Sequence, residues 1–167
     1  MGKALAFACM IAGMEVTWFP SYGAEMRGGT ANCTVVISDA MIGSPVVSAP
    51  DVLVVMNKPS LERFQPLLRR KGVLLYDSSL VPRPVLRRDI LCMPVPAAEI
   101  ASAAGTTRSG NMVMLGALVA RTEVLPVSAV LKVFDGTAGP LGSRGSNSNL
   151  TLIMKGMRDV EDSLLSG

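Results

Sequence analysis

Apolar positions along this chain switch between two spacings, and the switches mark out its elements. An apolar run from Ala4 to Met14, held between Lys3 and Glu15, predicts a buried helix over residues 3–13. Short runs rich in β-branched residues follow, at 15–19 and 32–38, and 41–47 is expected to turn back beside the second of them. Asp-Val-Leu-Val-Val-Met (51–56) is continuously apolar, as in a strand covered on both faces. Pro59-Ser60 then predicts a helix with Ser60 as its N-cap, Glu62 in its first turn and Gly72 as its C-terminal stop. Strands are expected at 73–76 and 90–95, and helices at 97–104, 111–121 and 126–134. Residues 135–149 are rich in Gly and Ser and read as a flexible loop. A last helix is expected over 150–165, with an apolar stripe at Leu150, Ile153, Met154, Met157, Val160 and Leu164. Lys155, Arg158, Asp159, Glu161 and Asp162 fill its other face. Strands alternating with helices predict an α/β sandwich around a mainly parallel sheet.

Composition sharpens this picture. At 167 residues the chain suits a single domain over 1–167. It is 49% apolar and only 17% charged, against roughly 25% charged in an average soluble domain. Aromatics make up 4%, so small aliphatics and eleven Met carry the apolar surface. Part of that surface is expected to lie against other subunits, because obligate interfaces resemble a core cut in half. No uncharged run approaches the ~18 residues of a membrane helix. Cys9, Cys33 and Cys92 are odd in number and lack C-x-x-C spacing, which predicts free thiols and a cytoplasmic location.

The chemistry the chain lacks is as telling. It has no histidine, so the commonest general base and the commonest zinc ligand are both missing. Three scattered cysteines fall short of the four thiolates of a usual iron–sulfur cluster. Cys33, read as a buried strand residue, is expected to behave as a small hydrophobe. Asp135-Gly136 opens a segment without the ending of a phosphate-binding loop or the pattern of a thiamine diphosphate motif. The net charge is +3, with bases at Arg69, Arg70 and Lys71 and again at Arg83, Arg87 and Arg88. These read as solvated helix ends and loops that could meet an anionic cofactor or an acidic subunit. Low aromatic content argues against nucleic acid.

One segment stands out as a site. Between two strand-like runs, Tyr22, Gly23, Glu25, Arg27, Gly28 and Gly29 crowd into eight residues, followed by Thr30 and Asn32. Glycines admit close backbone approach, and a charged pair in a tight loop after a strand suits ligand binding at a sheet's end. Asn57, and the group Asp77, Ser78 and Ser79, sit at other strand ends and would complete a polar rim.

The ordered motifs S-Y-G-A-E-M-R-G-G-T-A-N-C-T-V-V-I-S-D, I-G-S-P-V-V, P-D-V-L-V-V-M-N, L-L-Y-D-S-S-L, P-V-P-A-A-E-I-A and N-M-V-M-L-G-A-L resemble the gamma subunit of 2-oxoacid:ferredoxin oxidoreductases. The likeness runs from about Gly2 to about Arg121, and T-A-N-C resembles the 2-oxoglutarate and branched-chain types. The resemblance implies a Rossmann-like fold and a role in coenzyme A-dependent oxidative decarboxylation of a 2-oxoacid. It implies alpha and beta partner subunits, with a ferredoxin-like delta subunit as a further candidate. Thiamine diphosphate, Mg and iron–sulfur clusters would sit on those partners, and coenzyme A is a candidate contact of this chain. The matching site residues are Tyr22, Gly23, Glu25, Arg27, Gly28, Gly29, Thr30 and Asn32, with Asn57 in a further motif. None is catalytic. Relatives begin with a strand and a G-x-G-G-Q-G turn, whereas Met1-Gly2-Lys3 already matches the first helix, so that strand and turn are expected to be missing. A stand-alone module for coenzyme A or another nucleotide, and a truncated structural remnant, are the alternative readings.

Overall fold

A computed structural model describes residues 1–21, 31–82, 87–134 and 146–165. Helices α1 (Gly2–Ile11), α2 (Lys58–Phe64), α3 (Ala97–Ala103), α4 (Gly110–Thr122), α5 (Val127–Phe134) and α6 (Ser146–Leu165) alternate with strands β1 (Glu15–Ser21), β2 (Asn32–Ser38), β3 (Val52–Val55), β4 (Val73–Asp77) and β5 (Leu91–Val95). They form two compact units. One holds Met1–Ser48 and Leu125–Ser146; the other holds Ala49–Val124 and Asn147–Gly167.

In the first unit α1 packs on α5 and on both strands of an antiparallel ribbon. The ribbon pairs Glu15 with Ser38 at one end and Ser21 with Asn32 at the other. Helix α1 ends where Gly13 takes φ +79°, a backbone state that glycine enters without steric cost. The Gly13 N–H then donates to the Met10 carbonyl and the Met14 N–H to the Cys9 carbonyl, satisfying the last turn. A methyl group on Gly2 would land on the Cys33 sulfur, so helix and ribbon approach closely there. Cys33 is nevertheless exposed, against the expectation of a buried strand thiol. It lies at the second position of β2, where α1 covers the ribbon incompletely. Residues 41–47 form no strand beside β2; Ser44-Pro45 interrupts them, and proline has no N–H for a ladder.

The second unit carries a parallel sheet in the order β3-β4-β5. The register matches Val52 with Val73 and Val73 with Leu91. The central strand β4 is covered on both faces, as its apolar run demands. Leu74 and Tyr76 pack with Val55, Leu61 and Leu68 on one face, and Leu75 lies by alternation on the other. Helix α4 contacts β4 and is buried all round from Met112 to Val119. Helices α4 and α6 cross at a reciprocal pair of glycines. A methyl on Gly116 would strike the Ile153 carbonyl, and one on Gly156 would strike the Val113 carbonyl.

That crossing sets the rotation of α6. Its buried face is Leu152, Ile153, Gly156 and Val160, while Met154 and Leu164 of the expected stripe are exposed. The glycine, invisible to hydrophobic spacing, decides which side faces α4. Helix α6 also starts at Ser146, ahead of the expected residue 150; the rest of the expected loop, 135–145, lies outside the described residues.

Helix α2 differs from expectation at both ends. Asn57, not Ser60, is the N-cap, so Glu62 falls beyond the first turn. It lies 3.7 Å from Lys58, an exposed i,i+4 pair of little energetic weight. The helix stops at Phe64 rather than at Gly72 and passes into a 3-10 turn, Gln65–Leu67. Pro66 lacks the N–H that would continue the α-helical ladder.

Candidate functional site

The sequence pointed to two places: the loop that joins β1 to β2 and the carboxyl ends of the parallel strands. Of the loop, Tyr22, Gly23, Glu25, Arg27, Gly28, Gly29 and Thr30 lie outside the described residues. Their anchor points do not. Ser21 and Asn32 are partners in the ribbon register, so the segment leaves and re-enters the fold on adjacent strands. Asn32 is half-buried at that exit.

The ribbon beneath the loop has two unlike faces. Val16, Trp18 and Pro20 pair with Ile37, Val35 and Cys33; Trp18 and Val35 lie near Gly2 of α1, which identifies the covered face. Thr17 and Phe19, with partners Val36 and Thr34, alternate onto the opposite face. Phe19 is 56% exposed. Sequence reasoning did not single it out, although the signal was present: adjacent aromatics in a strand point to opposite sides, and one helix covers only one side.

At the other strand ends Asn57, Asp77, Ser78 and Ser79 are described, and the side chains of Asn57, Asp77 and Ser79 are engaged with backbone. Asn57 Oδ1 accepts the Ser60 N–H at 2.8 Å and caps α2. Asp77, the last residue of β4, has no exposed surface. Its Oδ1 accepts the Ser79 N–H and its Oδ2 the Ala98 N–H, both at 3.1 Å. Ser79 Oγ accepts the Glu99 N–H at 3.3 Å, and the Ser78 N–H donates to the Val95 carbonyl at 3.0 Å. Helix α3 begins after Pro96, whose side chain caps nothing. Its free N–H groups are therefore met from the β4 loop, a long-range substitute for a local cap. The buried Asp77 side chain is satisfied there because each of its oxygens accepts a hydrogen bond. The register places Asp77 beside Val95 and Tyr76 beside Val55, which draws these ends together. Asn111 occupies the second position of α4 and is half-buried.

Among the described residues no group of three or more His, Cys, Asp or Glu could hold a metal ion. Cys9 is buried, Cys92 half-buried and Cys33 exposed, all three as free thiols. Burial pushes the Cys9 and Cys92 thiols up, away from thiolate character. No helix among the described residues is long and apolar enough to cross a membrane.

The model of the family "Pyruvate ferredoxin/flavodoxin oxidoreductase" matches residues 1–158. Ketoisovalerate oxidoreductase subunit VorA of Methanothermobacter thermautotrophicus is 46% identical over 120 residues, covering 72% of this chain and 25% of VorA. This chain thus spans about a quarter of that relative's length. The 2-oxoglutarate synthase subunit KorC of the same organism is 33% identical over 169 residues, covering 95% of this chain and 87% of KorC. Among solved structures, 2-oxoglutarate:ferredoxin oxidoreductase from Magnetococcus marinus, with 2-oxoglutarate, coenzyme A and succinyl-CoA bound, is similar with a TM-score of 0.85 and 26% identity. That match covers 96% of this chain and 28% of the other. The keto/oxoacid ferredoxin oxidoreductase gamma subunit from Geobacter sulfurreducens shares the fold, with a TM-score of 0.81 at 24% identity over 96% of this chain and 89% of that one.

Proposed function

We propose, from the premise that this chain belongs to the pyruvate ferredoxin/flavodoxin oxidoreductase family, that it is the gamma subunit of a 2-oxoacid:ferredoxin oxidoreductase. It supports coenzyme A-dependent oxidative decarboxylation of a 2-oxoacid in the cytoplasm and works only with alpha and beta subunits. The observation that carries this reading is the family match across residues 1–158, joined to a relative of nearly equal length, KorC. A sequence without histidine supports a non-catalytic share of the work.

The loop on the β1–β2 ribbon is the proposed contact for coenzyme A, whose thiol accepts the acyl group. Arg27 pairs with an anionic phosphate, and Gly28 and Gly29 let the backbone come close to it. Tyr22, Gly23, Glu25, Thr30 and Asn32 shape the rest of the contact. The described part of this region fits that role: Ser21 and Asn32 hold the loop's two ends on paired strands, a rigid base for a binding segment. Thiamine diphosphate, Mg and iron–sulfur clusters belong to the partner subunits in this reading.

Co-expression with alpha and beta chains tests the proposal. A stable complex that reduces ferredoxin only with a 2-oxoacid and coenzyme A is expected; a chain that stays monomeric beside both partners overturns it. In the assembled complex Arg27→Ala is expected to raise the coenzyme A concentration for half-maximal rate about tenfold, the loss of one charge-assisted contact. Assembly should be unchanged. Unaltered kinetics in an assembled variant would remove the loop from the site.

A further inference from the structure

The amino-terminal end of the parallel sheet carries a cluster of charge that the proposed function does not use. Three turns meet there: residues 50–51 before β3, 65–72 before β4 and 87–90 before β5. Backbone hydrogen bonds tie them together. The Arg69 N–H donates to the Pro50 carbonyl at 3.1 Å, the Lys71 N–H to the Asp89 carbonyl at 2.7 Å, and the Leu91 N–H to the Gly72 carbonyl at 2.9 Å. The Arg87 guanidinium locks the assembly, donating to the carbonyls of Gln65 at 3.0 Å and Leu68 at 2.6 Å and to Asp89 at 2.7 Å.

Five cations, Arg69, Arg70, Lys71, Arg87 and Arg88, face two carboxylates, Asp51 and Asp89. Arg69 pairs with Asp51 and Arg87 with Asp89. Arg70 reaches Asp89 only at 3.9 Å and its side chain is 88% exposed; Lys71 and Arg88 are exposed as well. The excess of three positive charges equals the formal net charge of the whole chain. Lys71 stands at φ +61°, a region that favours glycine and is uncommon for a long side chain. Two exposed leucines adjoin the cluster: Leu67 (51%) in the turn that Arg87 clasps, and Leu91 (43%) opening β5.

We propose that this end of the sheet is a docking surface for an acidic protein partner, one that presents an apolar residue flanked by Asp or Glu side chains. Exposed leucines beside arginines match the apolar centre and Arg-rich composition of protein interfaces. Nucleic acid fits less well. The carboxylates of Asp51 and Asp89 interrupt the cations that a phosphate backbone would track. The turns at 50–51, 65–72 and 87–90 hold no aromatic side chain on which a base could stack.

Fluorescence anisotropy with the full chain tests this. The probes are a labelled peptide of Glu-Glu-Leu repeats and an oligothymidylate of equal charge. The peptide is expected to bind, more weakly as salt rises. Arg70→Glu/Arg88→Glu should weaken it at least tenfold while circular dichroism and the melting temperature stay as in the parent, and Arg70→Gln/Arg88→Gln should give an intermediate loss. Lys3→Glu/Lys132→Glu makes the same change of charge in the other unit and should leave most of the binding intact. Leu67→Ser/Leu91→Ser should cost several-fold. Equal losses in the two Glu double variants, tighter binding of the oligothymidylate, or no binding of the peptide would each overturn the proposal.

Discussion

In the parallel-sheet unit Leu74, Leu75 and Val95 have no exposed surface, whereas no residue of the β1–β2 ribbon is fully buried. Both regions are rich in Val, Ile and aromatic or Leu side chains, so apolar content does not explain the difference. Topology does. A parallel strand needs a crossover on each side and so acquires covers on both faces. An antiparallel pair closes through its own loop, and here α1 covers one face only. Phe19, on the other face, is 56% exposed, and Trp18, on the face that α1 meets, is still 39% exposed because one helix covers that face only in part. The centre of the sheet unit is thus covered on both faces. The ribbon unit holds both ends of the candidate loop on strands whose apolar side chains stay partly exposed.

Core truncation gives the widest contrast. Leu74→Ala is expected to cost about 2–5 kcal/mol of unfolding free energy, because a fully buried leucine leaves a cavity. Phe19→Ala should change stability by no more than about 0.5 kcal/mol, as for exposed positions. Urea denaturation of the isolated chain compares them, and equal losses would break the contrast. Gly116→Ala comes next. Alanine is the better helix former, yet its methyl would strike the Ile153 carbonyl. A loss of about 1–3 kcal/mol is expected from overpacking, and a gain in melting temperature would show that α4 and α6 separate easily.

Asn57→Ala sharpens the boundary between scaffold and site. Loss of the cap should cost about 1 kcal/mol. If Asn57 also holds cofactor, the coenzyme A dependence of the assembled enzyme will shift with it; unchanged dependence restricts Asn57 to capping. The smallest effect concerns pH. The hydrogen bond from Arg87 holds the Asp89 carboxyl below its usual range. Its folded value is thus lower than its unfolded one, so its contribution is present above the unfolded value and fades as pH falls through the folded one. Below about pH 4 the parent should lose part of its stability that Asp89→Asn does not, visible as a flatter melting profile in the variant. Parallel profiles would show that the clasp around Gln65–Leu68 contributes nothing measurable.

Much of the fold was legible in the chain. The continuous apolar run expected at 51–56 announced a strand, although only Val55 of it is buried because β3 lies at the edge of the sheet, and the helix expected over 111–121 formed as Gly110–Thr122. The candidate loop was legible as composition, and the register then fixed where its ends sit. Other features were not legible, because they depend on partners far away in sequence. Asp77 looked like part of a binding rim, yet its Oδ2 accepts from α3, which lacks a local cap, and its Oδ1 accepts from Ser79 in its own loop. Met154 and Leu164 fit a helical stripe, yet the contact through Gly156 turned α6 away from them.

The amino-acid order alone thus determined where most of the helices and strands lie, that histidine chemistry is absent, and that the chain resembles the gamma subunits of its family. Only the tertiary structure decided which polar groups cap helices, which face of α6 meets α4, and how the cations before β4 and β5 gather at one end of the sheet. The reason is physical: periodicity records how a residue relates to its neighbours in the chain, whereas hydrogen-bond satisfaction and close packing are settled between segments that meet only on folding.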